Sequence, residues 1–192
     1  MDNDSTWNIC LVEAGKLVNE GKEQEALILY DKAIEKNPEY LGSYNGKAFA
    51  LINLTRYEEA LEIFGYVLNS DIYSENAYLG KIDALLNLNK GEEALKWIDK
   101  YVKIDPYFSE LNNYRGRAYL ILKKYEEALN SFKISLEQTP NDSFNYNYQG
   151  LCHMGTKNYE EAFKCFDKAF EINPYQVQFY NNKLNAKQNL EK

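Results

Sequence analysis

The segment Tyr57-Glu58-Glu59-Ala60-Leu61 decides the fold, because copies of it recur along the chain at a constant interval. Close copies are Tyr125-Glu126-Glu127-Ala128-Leu129 and Tyr159-Glu160-Glu161-Ala162-Phe163, and weaker ones are Gly91-Glu92-Glu93-Ala94-Leu95 and Gln24-Glu25-Ala26-Leu27. The alanines of the five copies stand in one register, at Ala26, Ala60, Ala94, Ala128 and Ala162. A constant period of about 34 residues indicates an array of similar structural units rather than one irregular domain.

Each unit contains the patterns of two amphipathic helices. In one unit the first helix has apolar residues at i, i+4, i+7 and i+8, namely Tyr44, Ala48, Leu51 and Ile52. The second helix repeats the pattern with Ala60, Leu61, Phe64, Val67 and Leu68. All four prolines fall in one column after the second helix, at Pro38, Pro106, Pro140 and Pro174. A helix is expected to end before each of them, because the residue before proline is disfavoured in the α region.

These residues and spacings resemble the tetratricopeptide repeat family, whose unit is a 34-residue helix–turn–helix. The resemblance implies an all-α, right-handed superhelical solenoid in which each helical hairpin buries its apolar face against the next. The five expected repeats span 7–40, 41–74, 75–108, 109–142 and 143–176. The last segment, 177–192, restarts the first-helix pattern with Tyr180 and Leu184 next to several polar residues. We expect it to form a capping helix, apolar against the fifth repeat and solvated outside.

Composition restricts the class of protein. The 192 residues are 45% hydrophobic and 27% charged, which is typical of a folded soluble chain, and no apolar stretch is long enough to span a membrane. The opening residues lack the basic region and apolar core of a secretory signal. A net charge of −7 without a basic run argues against nucleic acid and anionic membranes as partners. Three cysteines without C-x-x-C spacing favour a reducing, cytoplasmic location.

The sequence contains no recognisable catalytic or metal-binding constellation. His153, the only histidine, follows Cys152, and adjacent residues of a helix point to different faces, so the two cannot form a nucleophile–base couple by themselves. No second histidine is present to complete a zinc or iron site. Acidic pairs such as Glu58-Glu59 could act as metal-binding or acid–base dyads, but they occur at the start of second helices, where negative charge complements the helix dipole. We therefore expect a non-enzymatic protein without cofactor or metal.

Many of the 17 tyrosines occupy repeat columns and are expected to pack between helices. Examples are Tyr57, Tyr125 and Tyr159, and a second column with Tyr73, Tyr107 and Tyr175. Tyr114 and Tyr148 differ, because they lie on a stripe of the first helices that the core does not need. In the family that these repeats resemble, the first helices line a concave groove that receives a peptide. The resemblance therefore implies that this stripe faces the partner.

The stripe is rich in amides and aromatic rings and poor in charge. Its candidate partner-binding residues are Asn45, Phe49, Asn113, Tyr114, Arg117, Phe144, Asn147 and Tyr148. Side-chain amides can donate and accept hydrogen bonds with a peptide backbone, and aromatic residues are frequent interface hot spots. The alternative interpretation is that the amides only reflect the high asparagine content of the whole chain.

One specialised use of the fold does not match this sequence. Family members that clamp the acidic carboxyl-terminal tails of chaperones need a Lys and an Asn four residues apart, then an Asn, then a Lys and an Arg four residues apart. The first three repeats offer Leu11 and Gly15, then Gly46, then Asn76 and Gly80. The later windows lack the pattern too, so chaperone tails are not the expected ligand.

A second specialised use does not match either. The asparagine ladder of sugar-transferring members occupies a column that here holds Val12, Gly46, Gly80, Tyr114 and Tyr148. The expected function is a scaffold that binds a protein or peptide partner in the groove. The alternative is a structural or assembly subunit that associates with further copies of itself.

Overall fold

The computed structural model describes residues 6–108 and 110–192 of the chain. Over these residues the secondary structure is entirely helical, without a strand, so the all-α prediction is confirmed. None of the described helices is long and apolar enough to cross a membrane. The helices are α1 (Thr6–Asn19), α2 (Glu23–Lys36), α3 (Leu41–Asn53), α4 (Tyr57–Ser70), α5 (Glu75–Asn87), α6 (Gly91–Val102), α7 (Leu111–Ile121), α8 (Tyr125–Gln138), α9 (Ser143–Gly155), α10 (Tyr159–Ile172) and α11 (Val177–Leu190).

The helices belong to two compact units, each of which is described by itself. The first unit extends to Leu88 and contains α1 to α5, and the second begins at Asn89 and contains α6 to α11. Within each unit every helix packs against the next one along the chain. Helices two apart also meet, since α1 contacts α3, α3 contacts α5 and α7 contacts α9. The odd-numbered helices therefore lie side by side within a unit.

The turns that lead from α1, α3, α7 and α9 into the following helix share one hydrogen-bond pattern. After α3, the amide of Arg56 donates to the carbonyl oxygen of Leu51 at 2.9 Å, and the amide of Thr55 donates to that of Ile52 at 2.8 Å. This Schellman pattern requires a residue with positive φ. That residue is Gly21 in the first turn, with φ +72°, and Lys157 in the last, with φ +60°. Thr55, Asn89 and Lys123 also have positive φ, between 57° and 59°.

The alanine column of the repeats is completely buried. Ala26, Ala60, Ala94, Ala128 and Ala162 are all 0% exposed. Other close contacts are made by glycines under aromatic rings. A Cβ added to Gly116 would lie 2.5 Å from the Phe132 ring, and one added to Gly150 would lie 2.5 Å from the Phe166 ring. Glycine is thus required there because α7 and α9 lie directly against the rings of the following second helices.

The last helix, α11, packs through Phe179 and Ala186. Ala186 belongs to a buried cluster with Ala162 and Phe166 of α10. Tyr180 and Leu184, which the sequence pattern assigns to the packed face, remain substantially exposed. The outer surface of α11 is accordingly less polar than a capping helix is expected to present, and its role as a cap stays a prediction.

The tyrosines of the second column do not pack, contrary to expectation. Tyr73, Tyr107 and Tyr175 are all largely exposed. The amide of Tyr73 donates to Asp71 Oδ1 at 2.9 Å, and the amide of Tyr107 donates to Asp105 Oδ1 at 2.9 Å. These tight turns satisfy the backbone locally while the rings extend into solvent.

Candidate functional site

The second unit brings six of the eight candidate residues onto two neighbouring helices. Asn113, Tyr114 and Arg117 are on α7, and Phe144, Asn147 and Tyr148 are on α9, which contacts α7. Between these helices and the end of α8 lies an open cavity of about 400 Å³. It is lined by Glu110, Asn113, Tyr114, Arg117, Ser135, Thr139, Asp142, Phe144 and Tyr148.

Arg117 is placed between two tyrosine rings. The centre of its guanidinium lies 5.8 Å from the ring centroid of Tyr114 and 5.8 Å from that of Tyr148. Both distances are within the range of a cation–π attraction. The cavity therefore has a cationic side chain held by aromatic faces, and the carboxylates of Glu110 and Asp142 also belong to its lining.

Tyr148 differs from its expected role. Its ring stacks on Phe132, with centroids 5.5 Å apart and planes inclined by 14°. Phe132 is completely buried and forms a core cluster with Ala128 and Cys152, against which Tyr148 packs. The expectation that the core does not need Tyr148 is therefore wrong, because the ring covers this cluster while also facing the cavity.

Phe144 lies at the start of α9 and has a substantially exposed ring. Asp142 caps this helix, since its Oδ1 accepts the amides of Phe144 at 2.9 Å and Asn145 at 3.2 Å. The Phe144 ring also touches Phe179 of α11 edge to face, with centroids 5.3 Å apart. The cap and this contact fix the position of an otherwise accessible aromatic ring.

A buried amide network supports the site and was not identified from the sequence. Asn113 Nδ2 donates to Asn145 Oδ1 at 2.8 Å. Asn145 Nδ2 in turn donates to Ser135 Oγ at 3.0 Å and to Asp142 Oδ2 at 2.8 Å. The repeat register could have indicated this network. The residues equivalent to Asn145 in the second to fourth repeats are Ser43, Ala77 and Leu111, and all three are buried. A polar residue in such a column needs internal hydrogen-bond partners.

Asn147 does not lie on the accessible surface of the cavity. It is only 2% exposed, and its Oδ1 accepts a hydrogen bond from Asn182 Nδ2 of α11 at 2.8 Å. Its amide therefore joins α9 to α11. The expectation that it faces a partner is corrected by this contact, since a buried oxygen that already has a donor is not presented to a ligand.

The remaining candidates, Asn45 and Phe49, are on α3 in the first unit. Asn45 Nδ2 donates to Ser74 Oγ at a long 3.5 Å, and its buried Oδ1 has no hydrogen-bond partner. Phe49 packs edge to face on Phe64, with centroids 5.3 Å apart. These two residues therefore belong to a different unit from the cavity around Arg117.

The aromatic column itself changes between the units. The column that holds Tyr114 and Tyr148 in the second unit holds Gly46 and Gly80 in the first. A Cβ added to Gly46 would lie 2.5 Å from the Tyr30 ring, and Gly80 is covered by the Phe64 ring. A tyrosine at Gly46 or Gly80 would collide with these rings. The projecting aromatic surface of this column is therefore confined to the second unit.

Burial shifts the pKa values of Cys152, Cys165 and His153. Burial raises the pKa of Cys152 to about 12 and that of Cys165 to about 11, so both remain protonated near neutral pH. Burial lowers the pKa of His153, which favours the neutral imidazole, against the opposing influence of Glu161. Across residues 6–108 and 110–192, no group of three or more His, Cys, Asp or Glu side chains is arranged to hold a metal ion.

Comparison with known families identifies the repeat. Tetratricopeptide repeat models match residues 29–62, 109–142 and 143–175. A search of curated proteins finds no match to the sequence.

Solved structures share the fold at low sequence identity. A thermophilic TPR protein of Thermus thermophilus has a TM-score of 0.80 at 19% identity, over 95% of this chain and 99% of that one. A MamA fragment from Desulfovibrio magneticus RS-1 has a TM-score of 0.73 at 19% identity, over 89% and 97% of the two chains. YrrB, described as a TPR protein with an unusual peptide-binding site, has a TM-score of 0.65 at 23% identity, over 93% and 90%.

Proposed function

Because the chain belongs to the tetratricopeptide repeat family, we propose that it is a non-enzymatic scaffold that binds an extended segment of a partner protein along α7 and α9. The observation that carries this proposal is the placement of Arg117 between the rings of Tyr114 and Tyr148, next to the accessible ring of Phe144. Tyrosine and arginine are among the residue types most often found as interface hot spots.

The chemistry of the cavity suggests how a peptide would be held. The planar guanidinium of Arg117 presents several donors for a backbone carbonyl or a carboxylate of the partner. Tyr114 and Phe144 supply rigid apolar area at a low cost in side-chain entropy. A volume of about 400 Å³ accommodates one or two side chains, so the cavity would anchor one point of a longer segment.

The wider context of the proposal follows from charge and thiol content. The net charge of −7 disfavours nucleic acid and anionic membranes as partners, and the free thiols suit a reducing cytoplasm. The residues needed to clamp a chaperone tail are absent from the repeat columns. The proposed ligand is therefore a different protein segment.

The test uses a peptide selected on the protein itself. A random peptide library is panned on the wild-type chain, and the selected peptide is then titrated by calorimetry. Arg117→Ala and Phe144→Ala should each weaken binding by about 2 kcal/mol, or roughly thirtyfold, which is the scale of a hot spot. Tyr107→Ala and Tyr175→Ala are the matched controls, because they remove exposed rings outside the cavity.

One result of these titrations would contradict the proposal. If the cavity and control variants bind the selected peptide equally well, the binding surface lies outside the cavity and the proposal is wrong. Circular dichroism of each variant separates loss of binding from loss of fold.

A further inference from the structure

The first helix exposes a repeat column that is buried in the later copies. Ile9 of α1 is 66% exposed. In the later copies the same column is at most 3% exposed, at Ser43, Ala77, Leu111, Asn145 and Phe179. Val12, one turn further along α1, is 54% exposed. In the described part of the chain no helix precedes α1 to cover these two side chains.

The last helix shows the same feature at a different column. Leu184 of α11 is 38% exposed, whereas the residues of its column in the five repeats, Ala14, Ala48, Ile82, Gly116 and Gly150, are all buried. Val177 and Tyr180, which are 68% and 46% exposed, precede Leu184 at a spacing that places all three on one stripe of the helix. Exposed apolar stripes of this kind mark interaction surfaces.

Charge adds complementarity between the two stripes. In the column of Glu13, Lys47, Lys81, Arg115 and Lys183 are cations and Gln149 is neutral. Lys47, Arg115 and Lys183 pair with aspartates of the preceding second helix. Glu13 reverses the sign in α1, where it adjoins Ile9 and Val12. Its carboxylate is about half exposed and pairs with Lys16 of its own helix, at 3.2 Å. On α11 the apolar stripe continues into exposed Lys187.

We propose that these two stripes form an interface between two copies of the chain. The α11 stripe of one molecule packs on the α1 stripe of the next, with Tyr180 and Leu184 against Ile9 and Val12 and with Lys187 near Glu13. Such a contact is heterologous, because the two molecules contribute different surfaces. It uses none of the residues that line the cavity around Arg117, and so it does not depend on the proposed peptide binding.

The primary test is the concentration dependence of the molar mass, measured by analytical ultracentrifugation of the full chain. The wild type should associate as concentration rises, and Ile9→Lys and Leu184→Lys should each weaken association at least tenfold. Asn8→Lys and Asn185→Lys are matched controls, because they add the same charge at exposed neighbouring positions outside the stripes. A wild type that stays monomeric at every concentration, or controls that weaken association as much, would overturn the proposal.

Mixing the two variants tests the heterologous geometry. Ile9→Lys retains an intact α11 stripe, and Leu184→Lys retains an intact α1 stripe, so together they should form a one-to-one dimer that does not grow further. If two α11 helices met instead, Ile9→Lys would associate alone as the wild type does and the mixture would form no such dimer.

A charge reversal supplies a test that leaves the apolar stripes intact. Glu13→Lys should weaken association, and Lys187→Glu on the same chain should restore it. Failure of the second change to restore association would contradict the proposed pairing of α1 with α11.

Discussion

The Tyr148 ring lies nearly parallel to the buried Phe132 ring, with centroids 5.5 Å apart and planes inclined by 14°. A residue of the candidate binding surface is thus part of the packing between α8 and α9. This relationship determines which substitutions can be used to test binding, because loss of the Tyr148 ring also uncovers the core cluster of Ala128, Phe132 and Cys152.

The first prediction concerns this stack. Tyr148→Ala should lower the free energy of unfolding by about 2 kcal/mol, since it removes an aromatic contact and leaves a partial cavity. Tyr148→Phe keeps the ring and should change the free energy of unfolding by less than about 0.5 kcal/mol. Urea denaturation of the three proteins measures the difference. Equal losses in the two variants would show that the ring does not stabilise the core.

A second prediction concerns the left-handed turn residues. Lys157, with φ +60°, holds a side chain in a conformation that costs about 1–2 kcal/mol relative to glycine. Lys157→Gly should therefore stabilise the protein by up to about 1 kcal/mol, after the greater flexibility of glycine in the unfolded chain is subtracted. Lys168→Gly, within α10, is the control and should destabilise it by about 1 kcal/mol. Thermal melts of both variants should show a higher melting temperature for Lys157→Gly and a lower one for Lys168→Gly than for the wild type.

The amide contact between α9 and α11 gives a third prediction. Asn182→Ala removes the donor to the buried Asn147 Oδ1 and should cost about 1–3 kcal/mol, the penalty for an unsatisfied buried acceptor. Asn181→Ala removes an exposed amide of the same helix and should change stability by less than about 0.5 kcal/mol. Indistinguishable denaturation midpoints would mean that the contact contributes no net stability.

The role of α11 as a cap leads to a fourth prediction. Deletion of residues 177–192 removes Phe179 and Ala186 and uncovers the apolar surface of Ala162 and Phe166. Amide hydrogen exchange of residues 159–172 should become faster and the shortened chain should aggregate more readily, because terminal repeats need a cover. A shortened chain that stays soluble with unchanged exchange in α10 would refute the cap assignment.

The buried thiol of Cys152 gives a fifth prediction, which depends on pH. Its pKa in the folded protein is about 12, against an ordinary value near 9. The unfolded state therefore loses this proton first, so the contribution of the thiol to stability is complete below pH 9 and is lost as the pH rises towards 12. The wild type should lose more stability than Cys152→Ala between these pH values in denaturant titrations. Parallel pH profiles would contradict the assigned burial.

Much of the fold could be predicted from the sequence because its signals are local and repeated. The spacing of Ala60 and its equivalents, the helical periodicity and the proline column depend only on neighbours along the chain. Each signal is weak in a single copy, but its recurrence in five copies in register makes the prediction strong. The same columns also placed six candidate residues on two helices that proved to be adjacent.

The tertiary structure alone decided which faces of those helices are covered. Tyr148 and Asn147 carry side chains suited to a groove, yet Tyr148 stacks on Phe132 and Asn147 is buried under Asn182. Tyr107 occupies a repeat column and is nevertheless exposed. The physical reason is that burial depends on what an adjacent helix contributes to the contact. A helical period specifies a face, but only packing in three dimensions determines whether that face meets another side chain or solvent.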